Sequence, residues 1–232
     1  MNSILIALKK KWAEYLLEIL VIILGILGAF ALDEWNENRK ERKEEVKILE
    51  DIRDALQSDI DNLFENHIEN AQNDIQNLEI IISMIEGKRP YNSAVNNEIF
   101  NVLTSSRGRQ WSPQLSALRM LETKGLEIIQ NEKLAKSILD IYSFDHNRIE
   151  ITFDNFLRNL YDYSRPIARR KFLSNGNSMI PEDFERLTND IEFQNTVYTL
   201  MLNNRSILYR LESSKVNVEK VIEQIDQELS MK

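Results

Sequence analysis

Few side chains in this chain are placed to do chemistry. Glu18 stands inside an apolar run, LLEILVIILGILGAFAL, at residues 16–32. A carboxylate in such a run either snorkels to a polar boundary or meets a partner, as in proton relays and interhelical contacts. The only two histidines are His67 and His146, and Glu150 follows His146 by four residues. That spacing puts two ligands on one helix face, but two do not complete a metal site, so a surface ion pair is expected instead. Arg107, Arg109, Arg165, Arg169, Arg170 and Lys171 crowd the breaks between helical stretches, with Trp111, Tyr161 and Tyr163 close in sequence. Such a set suits an anionic ligand or partner, or forms a solvated basic patch. Arg107, Arg109, Arg169 and Arg170 are its core candidates.

Catalytic motifs are missing. The sequence has no phosphate-binding glycine loop, nucleophile elbow, zinc-binding helix motif or calcium loop. The absence of cysteine removes thiol chemistry and disulfides. Two histidines leave a Ser-His-Asp triad little to draw on. No catalytic residue, cofactor or metal site is expected. The formal net charge of −8 argues against nucleic acid as a partner.

The elements that would position these residues begin with the apolar run. Its 17 residues span ~25 Å as a helix, slightly under a ~30 Å hydrocarbon core. Tyr15 and Phe30 extend the reach, and Trp12 and Trp35 suit the interfaces. A single transmembrane helix at residues 16–32 is therefore expected, preceded by a short tail (1–15) and succeeded by a soluble domain (33–232). Lys9, Lys10 and Lys11 favour a cytoplasmic N-terminus, although Arg39, Lys40, Arg42 and Lys43 lie beyond the other end. The competing reading is a signal peptide cleaved near Ala29-Phe30-Ala31. Gly25 and Ala29, with Gly28 beside them, form a small-xxx-small face of the kind through which membrane helices associate.

Beyond the run, neither proline nor glycine occurs until Gly87. Val46, Leu49, Ile52, Leu56, Ile60, Leu63, Ala71, Ile75, Leu78, Ile82 and Ile85 recur mostly in steps of three and four. This predicts a stalk helix over residues 33–86, ~80 Å long if unbroken, with a kink allowed in the Asn-rich stretch 66–77. Gly87 and Pro90 end it. Shorter helices are expected at residues 93–104, from Ser112-Pro113 to Gly125, and from an Asn131 cap onward. The last of these carries Leu134, Ile138, Ile141, Tyr142, Ile149, Phe153, Phe156, Leu160 and Tyr163 on one face, with a break at Pro166. Residues 174–178 read as a loop. In residues 190–230, Phe193, Val197, Leu200, Asn204, Ile207, Leu211, Ser214, Val218, Val221 and Ile225 form a heptad seam. The seam needs a partner, either the stalk in antiparallel pairing or a second copy in a parallel coiled coil registered by Asn204 and Ser214.

Two stretches carry a family resemblance. One runs from Tyr15-Leu16-Leu17-Glu18-Ile19 through Gly25-Ile26-Leu27-Gly28-Ala29 to Trp35-Asn36-Glu37. The other, residues 118–131, is a leucine-bearing helix ending in Gly125 and leading to an Ile-Asn turn near Asn131. Together they resemble single-span membrane proteins of unknown function from Bacteroidota-type bacteria. The resemblance covers about a fifth of the chain and implies location and architecture, not activity.

The expectation is thus a mainly α, elongated helical bundle on one membrane helix, in a bacterial inner membrane, with the helical domain in the periplasm. Its expected partners are the lipid bilayer and either a second copy or another membrane protein. Its function is expected to be interaction or sensing without catalysis. One alternative is a subunit of an ion- or force-coupled complex that uses Glu18 in a helix bundle; another is an enzyme built from carboxylates and arginines.

Overall fold

A computed structural model describes residues 2–107 and 109–231, apart from the side chains of residues 2–11, 13, 14, 94 and 95. Lys9, Lys10, Lys11 and Glu14 therefore lie outside the described side chains. The chain is mainly α. Its elements are α1 (Asn2–Asp59), α2 (Glu65–Ile85), α3 (Ser93–Asn96), α4 (Ser116–Lys124), α5 (Glu132–Asp140), α6 (Asn147–Asn159), α7 (Arg165–Lys171), β1 (Phe172–Ser174), β2 (Met179–Pro181), α8 (Phe184–Thr188) and α9 (Ile191–Ser230). Contacts divide it into two units, Met1–Ile48 and Leu49–Lys232.

The first unit is helix alone. Residues 16–32 are exposed at every position. The segment is long and apolar enough to cross a membrane.

The second unit is a helical bundle around α9. The seam expected on α9 is buried at all ten positions from Phe193 to Ile225. It packs on α2, α6 and α5. The pairing with α2 is antiparallel, because the ion pairs run in opposite order along the two helices. From α2, Glu65 meets Lys215 and Glu79 meets Arg205, and upstream Arg53, near the end of α1, meets Asp226. The chain thus fills the seam itself, and the parallel coiled coil between copies is not the arrangement seen. Asp190 caps α9 by accepting from Phe193 N, and Asn131 caps α5 by accepting from Leu134 N.

Three widened π turns correct the expected phasing. They lie at Ile60–Phe64, Ile141–His146 and Leu160–Ser164. Each adds a residue to the local repeat and rotates the helix downstream of it. At the first turn Phe64 is fully buried, and Leu63, expected on the inner face, is only half-buried. At the third turn Ser164 is buried, and Tyr163, expected on the inner face, is 63% exposed. Side chains bond carbonyls at the entrances of the first two turns. Asn62 donates to Ser58 O at 3.0 Å, and Ser143 donates to Leu139 O at 2.7 Å. The break in the predicted stalk is therefore a π turn ahead of the Asn-rich stretch.

Other boundaries also move. Residues 93–104 form a short α turn and then a 3-10 helix at Glu98–Leu103. The helix expected from Ser112-Pro113 starts at Ser116. Pro166 does not end its helix region: the helical backbone runs on from the π turn at Leu160–Ser164 through α7 to Lys171. The loop at residues 174–178 is the tip of a small antiparallel hairpin pairing Phe172 with Pro181 and Ser174 with Met179. Asn175 Oδ1 accepts from the amides of Asn177 and Ser178 there, an Asx-type turn.

Candidate functional site

The three π turns meet the chain between the 3-10 helix and α4, an irregular segment at residues 104–107 and 109–115. Next to the first turn, Asp59 accepts the Gln114 backbone N–H on both carboxylate oxygens, at 3.1 and 3.2 Å. The second turn ends in His146, whose Nδ1 accepts from Trp111 Nε1 at 3.1 Å. The third ends in Ser164, which donates to Leu103 O at 2.6 Å. Arg165, one residue on, donates to Thr104 O from Nε and Nη2 at 3.0 and 2.9 Å. Phe64 and Ser164, the last residues of the first and third turns, are both buried.

Trp111 is the hub. Its ring packs edge-on against Phe64 at 4.9 Å and lies within 5.3–5.6 Å of His146 and His67. Tyr142 stacks on His146 at 5.3 Å. Since His146 Nδ1 accepts a hydrogen bond, the neutral ring carries its own proton on Nε2, which is buried without a partner. Burial pushes its pKa down to about 4. The histidine is therefore neutral and interior, and the expected surface ion pair with Glu150 does not form. Tyr142 Oη is also buried without a partner, and burial and the Asp59 charge raise its pKa. Burial moves Asp59 up to about 6, opposed by the Gln114 hydrogen bond.

Arg109 is the second anchor. It is 3% exposed and donates from Nη2 to Asp74 at 2.6 Å and to Asn204 at 2.5 Å. Its guanidinium carbon lies 4.7 Å from the Phe156 ring centroid and 6.0 Å from that of Phe153. Burial lowers the arginine pKa and raises that of Asp74. Both shifts oppose charge, so desolvation outweighs the mutual attraction of the pair. Nε and Nη1 have no partner. Asn204, read from sequence as a register device in the seam, is thus part of this polar contact.

A cleft of about 560 Å³ opens beside the segment, within the range of small-molecule sites. Ser106, Arg109, Gln110 and Trp111 form one wall. Glu150, Phe153, Asp154 and Leu157 of α6 also line it, with Tyr161.

The other sequence candidates lie elsewhere. Arg107 is exposed and acts electrostatically on Asp74. Arg169 is exposed, and Arg170 pairs with Glu192 at 2.8 Å. Lys171 pairs with Asp190. The four candidate arginines therefore differ in kind, one interior and three on the surface. Gly25, Gly28 and Ala29 are exposed, and a Cβ added at either glycine meets nothing within 4 Å. Glu18 is exposed within the apolar run. Sequence reasoning missed Asp59, Asp74 and Tyr142 as site residues; the only signal was their inward helical phase. Among the described residues, no three His, Cys, Asp or Glu side chains come close enough to hold a metal.

Comparison with protein-family models, curated protein sequences and solved structures finds no match for this chain.

Proposed function

We propose that this chain is a single-span membrane protein whose helical unit recognises a small ligand or protein partner and performs no chemistry of its own. One observation carries the anchor: all of residues 16–32 are exposed, although the second unit buries its apolar seam completely. An apolar segment exposed on every side needs an apolar phase around it. The cleft beside Trp111 supports recognition, since aromatic and polar side chains line it together. The lysines before the span favour the helical unit in the bacterial periplasm.

Fusions of alkaline phosphatase and of a fluorescent protein after Lys232 test this reading. Phosphatase activity at full length, in the membrane fraction, is the expected result. Fluorescence without phosphatase activity would place the helical unit in the cytoplasm. A product shortened by the first ~31 residues would replace the anchor by a cleaved signal peptide.

A second reading rests on Glu18, which is exposed in the span with no ion pair among the described residues. In it, the span joins a helix bundle of an ion- or force-coupled complex, and Gly25, Gly28 and Ala29 give the close approach. Glu18→Gln then abolishes function, whereas under the first reading it leaves ligand or partner binding unchanged.

A further inference from the structure

We propose that the hydrogen bond from Trp111 to His146 is an acid-sensitive latch: protonation of His146 releases the indole from the core while the surrounding helices stay folded. The inference concerns the second unit alone and stands whether or not the cleft takes a ligand.

Donor and acceptor are fixed by their chemistry. An indole N–H can only donate, so the Nδ1 it meets at 3.1 Å is the unprotonated nitrogen of a neutral ring. A second proton on that ring would set N–H against N–H and abolish the bond. It would also leave two donors without acceptors, because Nε2 is already buried and unpartnered. The new charge would lie among rings, with Tyr142 stacked on the imidazole and Phe64 and Trp111 within 6.3 Å. Ring faces attract a cation, yet desolvation prevails and holds the His146 pKa down at about 4.

The groups around the cluster do not offset that charge. Tyr142 belongs to the same turn, and His67 of α2 has its ring 5.6 Å from the indole; neither is an anion in acid. Asp59 of α1 is raised to about 6, so it is neutral before His146 titrates. It also titrates in the opposite sense, since the fold favours its protonated form, and is not the trigger. Asp145 accepts from Ser214 and Asn217 of α9, Glu150 of α6 is exposed, and Arg109 adds positive charge on the Trp111 side.

Trp111 is the partner that moves. His146 is 4% exposed within continuous helical backbone, whereas Trp111 is half-buried on irregular backbone and lines the open cleft. Release of the indole lets water reach the imidazolium. The docked form holds His146 at about 4 and the released form returns it to 6.5, so acid favours release between those values. That gap raises the ratio of released to docked indole by on the order of 100-fold. On the recognition reading, release also removes one wall of the cleft.

The test uses the full chain in detergent micelles, with Trp12→Phe and Trp35→Phe leaving Trp111 as the sole tryptophan. Emission maximum and acrylamide quenching are followed as pH falls from neutral, with far-ultraviolet circular dichroism on the same samples. Intensity is not used, because an imidazolium in contact dims an indole without moving it. A reversible red shift with increased quenching, its midpoint between pH 4 and 6.5 and the helical signal unchanged, is expected. His146→Phe should lose the step and His67→Gln should keep it. No step in the parent overturns the proposal, as does a step that coincides with loss of helix. A step that persists in His146→Phe, or vanishes in His67→Gln, overturns it too. The parent titration needs no variant to decide. The fusions report on the anchor and the titration on the latch, so either can fail alone.

Discussion

Residues 16–32 and α9 use the same helical period and similar apolar side chains, yet end in opposite states. In α9 the apolar residues keep to one stripe, and every seam position from Phe193 to Ile225 is buried against α2, α6 and α5. In residues 16–32 the apolar residues run all round the helix, and every position is exposed. A stripe can be covered by neighbouring helices, whereas a cylinder needs an apolar surrounding. The arrangement of apolar residues, more than their number, decides whether a helix is covered by its own chain or by its environment.

The sharpest way to break this comparison is to place one charge in each region. Leu211→Asp buries an unpaired carboxylate in the seam and should cost more than about 4 kcal/mol, enough to unfold the second unit in a thermal melt monitored by circular dichroism. Leu24→Asp should leave that melt unchanged and reduce membrane retention instead, with an insertion cost of about 2.5–3.5 kcal/mol at a span centre. A lowered melt in Leu24→Asp would mean that residues 16–32 contribute to the folded core.

A smaller contrast lies within the second unit. Arg109→Met leaves Asp74 without its buried counter-charge and should destabilise by about 3–5 kcal/mol in chemical denaturation. Adding Asp74→Asn should recover most of the loss, because the penalty belongs to the stranded charge. If the double variant is no better than the single one, the Arg109 contribution is packing on Phe153 and Phe156.

Acid titration separates two buried groups beside the same segment. The His146 pKa is pushed from 6.5 to about 4 in the fold, so the unfolded chain binds its proton first, and this stability is lost as pH falls from about 6.5 towards 4. The Asp59 pKa is raised from 3.8 to about 6, so the folded chain binds first, and stability is gained as pH falls from about 6 towards 3.8. The two effects oppose between pH 4 and 6, each with a limiting slope of about 1.4 kcal/mol per pH unit. Relative to the parent, His146→Phe should gain stability on acidification and Asp59→Asn should lose it. Parallel pH profiles in the two variants would refute the assignment. The smallest effect is expected at the exposed pair Arg205–Glu79, where alanine at either position should change stability by no more than about 0.5 kcal/mol.

Sequence periodicity and local punctuation alone determined the α9 seam at every position, the cap at Asn131, the helix stops at Gly87 and Gly125, and the apolar run of residues 16–32. These are local or strictly periodic signals, and nothing distant competes with them. The tertiary structure decided the rest. Leu63 and Tyr163 sit on the expected inner stripe yet are half-buried and exposed, while Phe64 and Ser164, one residue on, are buried, a choice between i+3 and i+4 that helical spacing leaves open. Arg109 read as surface charge because its partners, Asp74 and Asn204, stand 35 and 95 residues away. His146 read as half of an exposed ion pair because the indole that donates to it in the core is 35 residues upstream. Burial of a polar group depends on partners brought by other elements, and helical spacing carries no record of them.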